Sequence, residues 1–299
     1  MVLYRHEKTA SRRCQTQERS YQLVDFRFRL RTPVHSVACD AHQLFAHLSV
    51  PDSRNSDTII ELVEDGNQWE LLHDDEVIDS STIEGIVPML HGNVLLTAYR
   101  SSDCMAALRA AAVTCGDECL LIPAATGTGK TTLTAALMAH GFCYGSDDLV
   151  LLTREPVQIR PVPTPLSVKT GSWHVLGDLF SEILQLPIYV RADGKRVRYL
   201  SPRGGISRPS DSYKAKCAIF PSWVAGSSHQ LRHISSADAL ARLTSSGYDL
   251  PNRMSREVGG VVESLVHWLS ELPCFELRYG CIDDAVKAIV DLTSGAGSD

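Results

Sequence analysis

Residues Cys119 to Leu133 read Cys-Leu-Leu-Ile-Pro-Ala-Ala-Thr-Gly-Thr-Gly-Lys-Thr-Thr-Leu, and no other stretch constrains the chain as tightly. The apolar run from Cys119 to Ile122 has the length and composition of a buried strand. Leu133 to His140 reads as a helix. Between them lie Gly127 and Gly129, then Lys130, Thr131 and Thr132. Strand, glycine-rich loop and helix in that order make a phosphate-binding loop. The glycines let backbone N–H groups curl around phosphate oxygens, and the helix N-terminus adds partial positive charge. Lysine reaches the β- and γ-phosphates, and the Thr131 hydroxyl can ligate Mg²⁺. Ala124 stands where the usual G-x-x-x-x-G-K-[ST] pattern has its first glycine. Gly127 and Gly129 hold the tighter part of the loop, so a cradle is expected over Ala125, Thr126, Gly127, Thr128, Gly129, Lys130, Thr131 and Thr132. ATP is the expected nucleotide. GTP fits the loop equally, although no Asn-Lys-x-Asp guanine motif is seen.

Asp147-Asp148 is the second constraint. The loop helix carries the chain away from the phosphate end, and a short strand from Phe142 returns it. Ser146, Asp147 and Asp148 then arrive at the carboxyl end of that strand, where open α/β sheets bind ligands. Two carboxylates beside a nucleotide can divide the work: one holds metal, the other accepts a proton from an attacking hydroxyl. Asp147, Asp148 and Thr131 are therefore the candidate Mg²⁺ ligands, and the sequence does not say which acid has which role.

The chain has 299 residues, 44% hydrophobic and 21% charged, with a net charge of −6. That is ordinary for a globular protein and argues against a general nucleic-acid binder. No apolar run reaches membrane-spanning length. The N-terminus is polar and basic, unlike a secretory signal. Nine cysteines, an odd number with no C-x-x-C pair, read as free thiols in a reducing cytoplasm. The expected location is cytoplasmic, with no nucleic-acid or membrane partner.

The pattern divides into a flexible tail over 1–20, a small β-rich N-terminal α+β domain over 21–84, an α/β domain over 85–293 and a tail over 294–299. Tyr21 to Leu30 alternates as a half-buried strand does, and Asp65-Gly66 marks a hairpin between Thr58–Val63 and Gln68–Leu72. Ser81 to Leu96 predicts a connecting helix, limited by Pro88. Val175 to Leu186 predicts an amphipathic helix, and Pro202 to Tyr213 a polar lid. His42 and His47 read as surface residues.

The order TGTGKTT, helix, then Gly-Phe-x-Tyr-x-Ser-Asp-Asp-Leu-Val-Leu-Leu resembles the HPr kinase/phosphorylase family. It is most similar to the bacterial HPr-kinase-related proteins. Val87-Pro-Met-Leu90, Pro163 to Lys169, Ala218-Ile-Phe-Pro221 and Pro273 to Tyr279 extend the resemblance over roughly 85–293. It implies a P-loop core like that of phosphoenolpyruvate carboxykinase, built on a mixed sheet. It also implies Mg²⁺-dependent phosphoryl transfer to a hydroxyl, typically serine. Lys130 would bind the β/γ-phosphates, Thr131 the Mg²⁺, and Asp147 and Asp148 would be the base and metal-associated acids.

Two departures qualify this. Where the family has a histidine before the loop, this chain has Arg109. An arginine does not exchange protons near neutral pH, so Arg109 is read as neutralising phosphate charge. Pro202-Arg-Gly-Gly205 is a poor match to the basic, glycine-rich C-terminal signature, which points away from HPr itself. Relatives of this kind accompany peptide-modification systems, so the implied acceptor is a serine on another peptide or protein. Lys169, Arg203 and Arg208 are secondary candidates for substrate or lid contacts, and Trp173 and Trp223 for the base. Two other readings stay open: a small-molecule hydroxyl kinase, with a sugar as one example, and a catalytically silent nucleotide-binding regulatory protein. A homo-oligomer is compatible with each.

Overall fold

The computed structural model describes residues 17–52, 58–202, 204–208, 211–249 and 258–295. The tail expected over 1–20 lies outside the described residues up to residue 16, and Gln17 already opens a strand. Strand β1 (Gln17–Leu23) pairs antiparallel with β2 (Phe26–Thr32). In β2 the Phe-Arg-Phe-Arg alternation buries Phe26, Phe28 and Leu30 and turns the arginines toward the other face. Helix α1 (His35–Phe45) leads to β3 (Thr58–Asp65), β4 (Gln68–His73) and β5 (Glu76–Ser81), which complete a sheet of order β1-β2-β3-β4-β5.

Helix α2 (Ile86–Ser101) follows. Pro88 sits in its first turn, where backbone nitrogens have no intrahelical partner to lose, so the helix runs past Leu96 unbroken. Ile86, Leu90 and Val94 pack into one apolar cluster with Tyr21, Phe28, Phe45 and Leu71, which Leu151, Val197 and Tyr199 join from later in the chain. His42 and His47 are drawn in as well. His42 pairs with the Tyr21 hydroxyl at 3.0 Å. The His47 Nε2 lies 2.6 Å from the Pro163 carbonyl, so neither is a free surface group.

The remaining chain gives β6 (Ala106–Leu108), β7 (Ala110–Cys115), β8 (Glu118–Pro123), α3 (Lys130–Ala139), β9 (Cys143–Ser146), β10 (Val150–Leu152) and β11 (Ile159–Pro161). Next come β12 (Leu166–Lys169), α4 (Trp173–Gly177), β13 (Tyr189–Val190), β14 (Arg196–Leu200) and β15 (Lys214–Trp223). The last elements are β16 (Gln230–His233), α5 (Ser236–Ser246), β17 (Tyr248–Asp249), α6 (Val258–Glu271), β18 (Cys274–Tyr279) and α7 (Ile282–Thr293). The fold is mixed α/β.

Its central sheet has the order β16-β18-β15-β8-β7-β9. Strands β8, β15 and β18 run parallel, while β7 is antiparallel to both β8 and β9. Both faces are covered, which is why Ala110 to Thr114 are all buried. Ala111, Val113, Leu120 and Ile122 face α3 and α7. Ala110, Ala112, Cys119 and Leu121 face α5 and α6. The two side sheets have the orders β11-β10-β6-β17 and β12-β14-β13.

The amphipathic helix expected over 175–186 is broken. Helix α4 stops at Gly177, Phe180 leaves the helical region with φ −135° and ψ 82°, and a separate single turn spans Ser181–Leu184. The Leu184 side chain folds back to within 3.3 Å of where a Gly177 Cβ would sit, and Leu176 and Ile183 are buried without a continuous helix. The eight described cysteines are free thiols.

Gly145 fixes β9 against β7. A Cβ there would lie 2.8 Å from the Ala112 carbonyl oxygen, a backbone atom with nowhere to go. Gly145→Val is therefore expected to lower stability by about 2 kcal/mol or more. Urea unfolding checks this, and a midpoint equal to wild type would contradict it.

Candidate active site

Strand β8 ends at Pro123 in the middle of the central sheet, and the loop to α3 opens at its carboxyl end. Gly127 and Gly129 have φ of 94° and 95°, a region costly for any residue with a Cβ. Gly129 is also walled in, since a Cβ would lie 2.5 Å from the Tyr279 hydroxyl. The Thr128 hydroxyl donates to the Ala125 carbonyl at 2.9 Å and closes the loop on itself. Helix α3 begins at Lys130 with no side-chain cap, so its first N–H groups face outward with the positive end of the helix dipole.

Lys130 is buried. Its ammonium donates to the Asp147 carbonyl and, at 3.1 Å, to Asp148 Oδ1. Strand β9 delivers both acids, because it runs parallel to β8 two strands away and ends on the same side. The Thr131 hydroxyl donates to Asp147 Oδ2 at 3.1 Å, and the Ser167 N–H donates to the same oxygen at 3.2 Å. Asp147 Oδ1 is buried with no hydrogen-bond partner among the described residues.

The two carboxyls are pushed apart. Burial raises Asp147 above the usual carboxylate range, and Asp148 repels it further, against the pull of Lys130. Burial also pushes Asp148 upward, but the charge and hydrogen bond of Lys130 outweigh it, helped by His91 and Arg109, and hold it low. Opposed acids of this kind suit a division of roles. A Mg²⁺ ion fits these residues. Thr131 Oγ1, the orphaned Asp147 Oδ1 and Asp148 are hard oxygen donors, and Mg²⁺ takes only one or two carboxylates beside phosphate and water. No group of three or more His, Cys, Asp or Glu residues gathers at metal distance among the described residues.

Two cavities meet here. One, of about 580 Å³, lies over the loop and is lined by Gly127, Lys130, Thr131, Lys169, Trp223 and Tyr279. The other, of about 800 Å³, is lined by His91, Arg109, Arg191, Tyr199 and Tyr248 among others. Among the described residues, Asp148 alone lines both.

This layout sorts the sequence candidates. Lys169 and Trp223 belong to the loop cavity, with Trp223 55% exposed at its rim. Trp173 packs beneath Arg198, 4.2 Å from its guanidinium, and does not line either cavity. Arg109 lines the second cavity, not the loop cavity, and makes no ion pair among the described residues. Arg208 is exposed and lines neither cavity, and its segment is tied to β9 and β7 through an Ile206–Tyr144 bridge and a 3.0 Å contact between the Ser207 and Thr114 hydroxyls. Arg203 lies outside the described residues.

His91 was not singled out by the sequence. It sits on α2, 6% exposed, with the Pro165 carbonyl at its ring, Tyr199 tilted against it at 5.0 Å between ring centroids, and Nε2 buried without a hydrogen-bond partner among the described residues. Burial pushes its imidazole down to about 4, and Asp148 offsets only part of that. The folded chain thus stays neutral at His91 while the unfolded chain takes up a proton below its ordinary value of 6.5. His91 adds stability above that pH and loses it as pH falls. The loss between pH 6.5 and 4 is expected to be roughly 3 kcal/mol. Urea midpoints across that range check it, and His91→Gln should flatten the slope.

No helix among the described residues is long and apolar enough to cross a membrane. No family model and no curated protein matches the chain. Among solved structures, the Hpr(Ser) kinase/phosphatase from Coxiella burnetii aligns over 64% of this chain and 93% of its own, at 11% identity and a TM-score of 0.29.

Proposed function

We propose that this chain transfers the γ-phosphoryl group of Mg²⁺–ATP to a serine-type hydroxyl of a peptide or protein. The observation that carries this is the convergence of the Lys130 ammonium, the Thr131 hydroxyl, Asp147 and Asp148 at the mouth of the β8–α3 loop. Loop N–H groups and Lys130 hold the β- and γ-phosphates. Thr131 and Asp147 hold Mg²⁺, with Asp148 beside them; bound there, the ion neutralises phosphate charge. Asp148, kept ionised by Lys130 and facing the second cavity, accepts the proton of the attacking hydroxyl. Most of the rate enhancement comes from positioning and charge stabilisation.

A small-molecule hydroxyl such as that of a sugar is the second reading, favoured by the polar groups of Asp79, Asn93, Arg191 and Asp193 in the lining of the cavity beyond Asp148. Purified protein with Mg²⁺ and γ-labelled ATP, set against a panel of serine-containing peptides, tests the first. Label on a peptide serine is the expected result. Mg²⁺–ATP bound with no label on any peptide or alcohol would leave a silent nucleotide-binding protein, and no nucleotide binding would overturn the loop reading.

A further inference from the structure

We propose that the cavity between α2, β17 and Asp148 is the acceptor site, and that the His91 Nε2 holds the acceptor hydroxyl there. This rests on the phosphoryl-transfer reading. Three independent observations point to a ligand. Among the described residues the cavity shares one residue with the nucleotide cavity, Asp148, which is the group placed to take the proton. His91, more than nine-tenths buried, lines it with an unpartnered nitrogen. A buried nitrogen left unpaired is costly, and a hydroxyl from a ligand satisfies it. Arg109 adds a guanidinium that lines this cavity beside Asp148 and acts on its carboxyl, on the acceptor side, where charge passes between donor and acceptor.

The depth of these groups selects the substrate. His91 is almost fully covered, and the Asp148 side chain is only 31% exposed. A hydroxyl on a rigid protein surface does not reach them. The acceptor must insert, so its serine is carried on an extended, flexible peptide segment. A small alcohol shares that chemistry and is an arm of the test.

Two glycines allow each cavity to be closed separately. Gly92 lines the second cavity and Gly171 the loop cavity, and a Cβ built on either meets no described atom within 4 Å. Wild type, Gly92→Trp, Gly171→Trp, His91→Phe and His91→Gln are compared for Mg²⁺–ATP affinity and for label transfer. The acceptors are seryl peptides, free serine, glycerol and, as slow hydrolysis, water. Gly92→Trp is expected to keep nucleotide affinity within about twofold and to lose at least a hundredfold in transfer. Gly171→Trp should lose nucleotide binding instead. His91→Phe should raise the acceptor KM about tenfold or more without changing the ATP KM, and His91→Gln, which restores a hydrogen-bonding group, should recover most of it. A merely structural His91 would move both KM values or neither.

Transfer at the wild-type rate in Gly92→Trp would overturn the assignment, as would nucleotide affinity lost there as severely as in Gly171→Trp. Label on glycerol or serine but on no peptide, still blocked by Gly92→Trp, would keep the cavity and overturn the peptide source. If wild type neither labels an acceptor nor hydrolyses ATP, the transfer reading itself fails and this one falls with it.

Discussion

Asp148→Asn is expected to lower phosphoryl transfer by about three orders of magnitude while leaving Mg²⁺–ATP affinity within a fewfold of wild type. The substitution keeps the shape of the side chain and an oxygen for the Lys130 ammonium, now 3.1 Å from Asp148 Oδ1. What it removes is the negative charge and the ability to take a proton. Because Lys130, His91 and Arg109 hold the native carboxyl low, Asp148 is ionised at neutral pH, so the variant differs from wild type there in charge as well as chemistry. Single-turnover transfer with saturating nucleotide measures the chemical step without product release. A rate within tenfold of wild type would remove Asp148 from the reaction.

Lys130→Met should do damage of two kinds. The first is loss of nucleotide binding, by two orders of magnitude or more, since a charge-assisted contact to phosphate disappears from a buried site. The second needs no nucleotide. In the free protein the ammonium bridges the Asp147 carbonyl and Asp148 and lies 3.9 Å from Asp147 Oδ1. Without it two adjacent carboxyls face each other with no cation between them. The loss is about 2 kcal/mol, less than for a fully buried pair because Asp148 is partly exposed. The sign of its pH dependence follows from Asp148. A carboxyl held low when folded stabilises above its ordinary range and loses that contribution as pH falls. Lys130→Met should therefore be most destabilised near neutrality and converge on wild type in acid. Isothermal titration with Mg²⁺–ATP and urea unfolding at several pH values separate the two effects. Equal stability at neutral pH would show that the triad contributes nothing to the free fold.

The parts of this architecture that could be read from the sequence are those set by neighbours along the chain. The run from Cys119 through the glycines to Leu133 makes a strand, turn and helix by local preference, and the structure has β8, the loop and α3 there. The Asp pair was legible for the same reason, since one helix and one short strand separate it from the loop and geometry brings such a unit back to its starting end. His91 shows the opposite case. On α2 it looks like any residue of an apolar helix face, and its meaning comes from Pro165, Tyr199 and Asp148, which distant elements deliver. Arg109 is legible as a charge near the phosphates, but its place in the second cavity and not the loop cavity is set by packing that the sequence does not show. The failed helix over 175–186 has the right apolar spacing; packing of Leu184 back onto Gly177 overrode it.

Two cavities that share, among the described residues, Asp148 alone have a kinetic consequence. Nucleotide and acceptor do not compete for the same walls, so neither has to wait for the other to arrive or depart. Under the proposed reaction both must be present together, and no phosphorylated form of the protein is required between them. Initial-rate plots should intersect rather than run parallel. ADP should compete with ATP alone, and the phosphorylated peptide with its precursor alone.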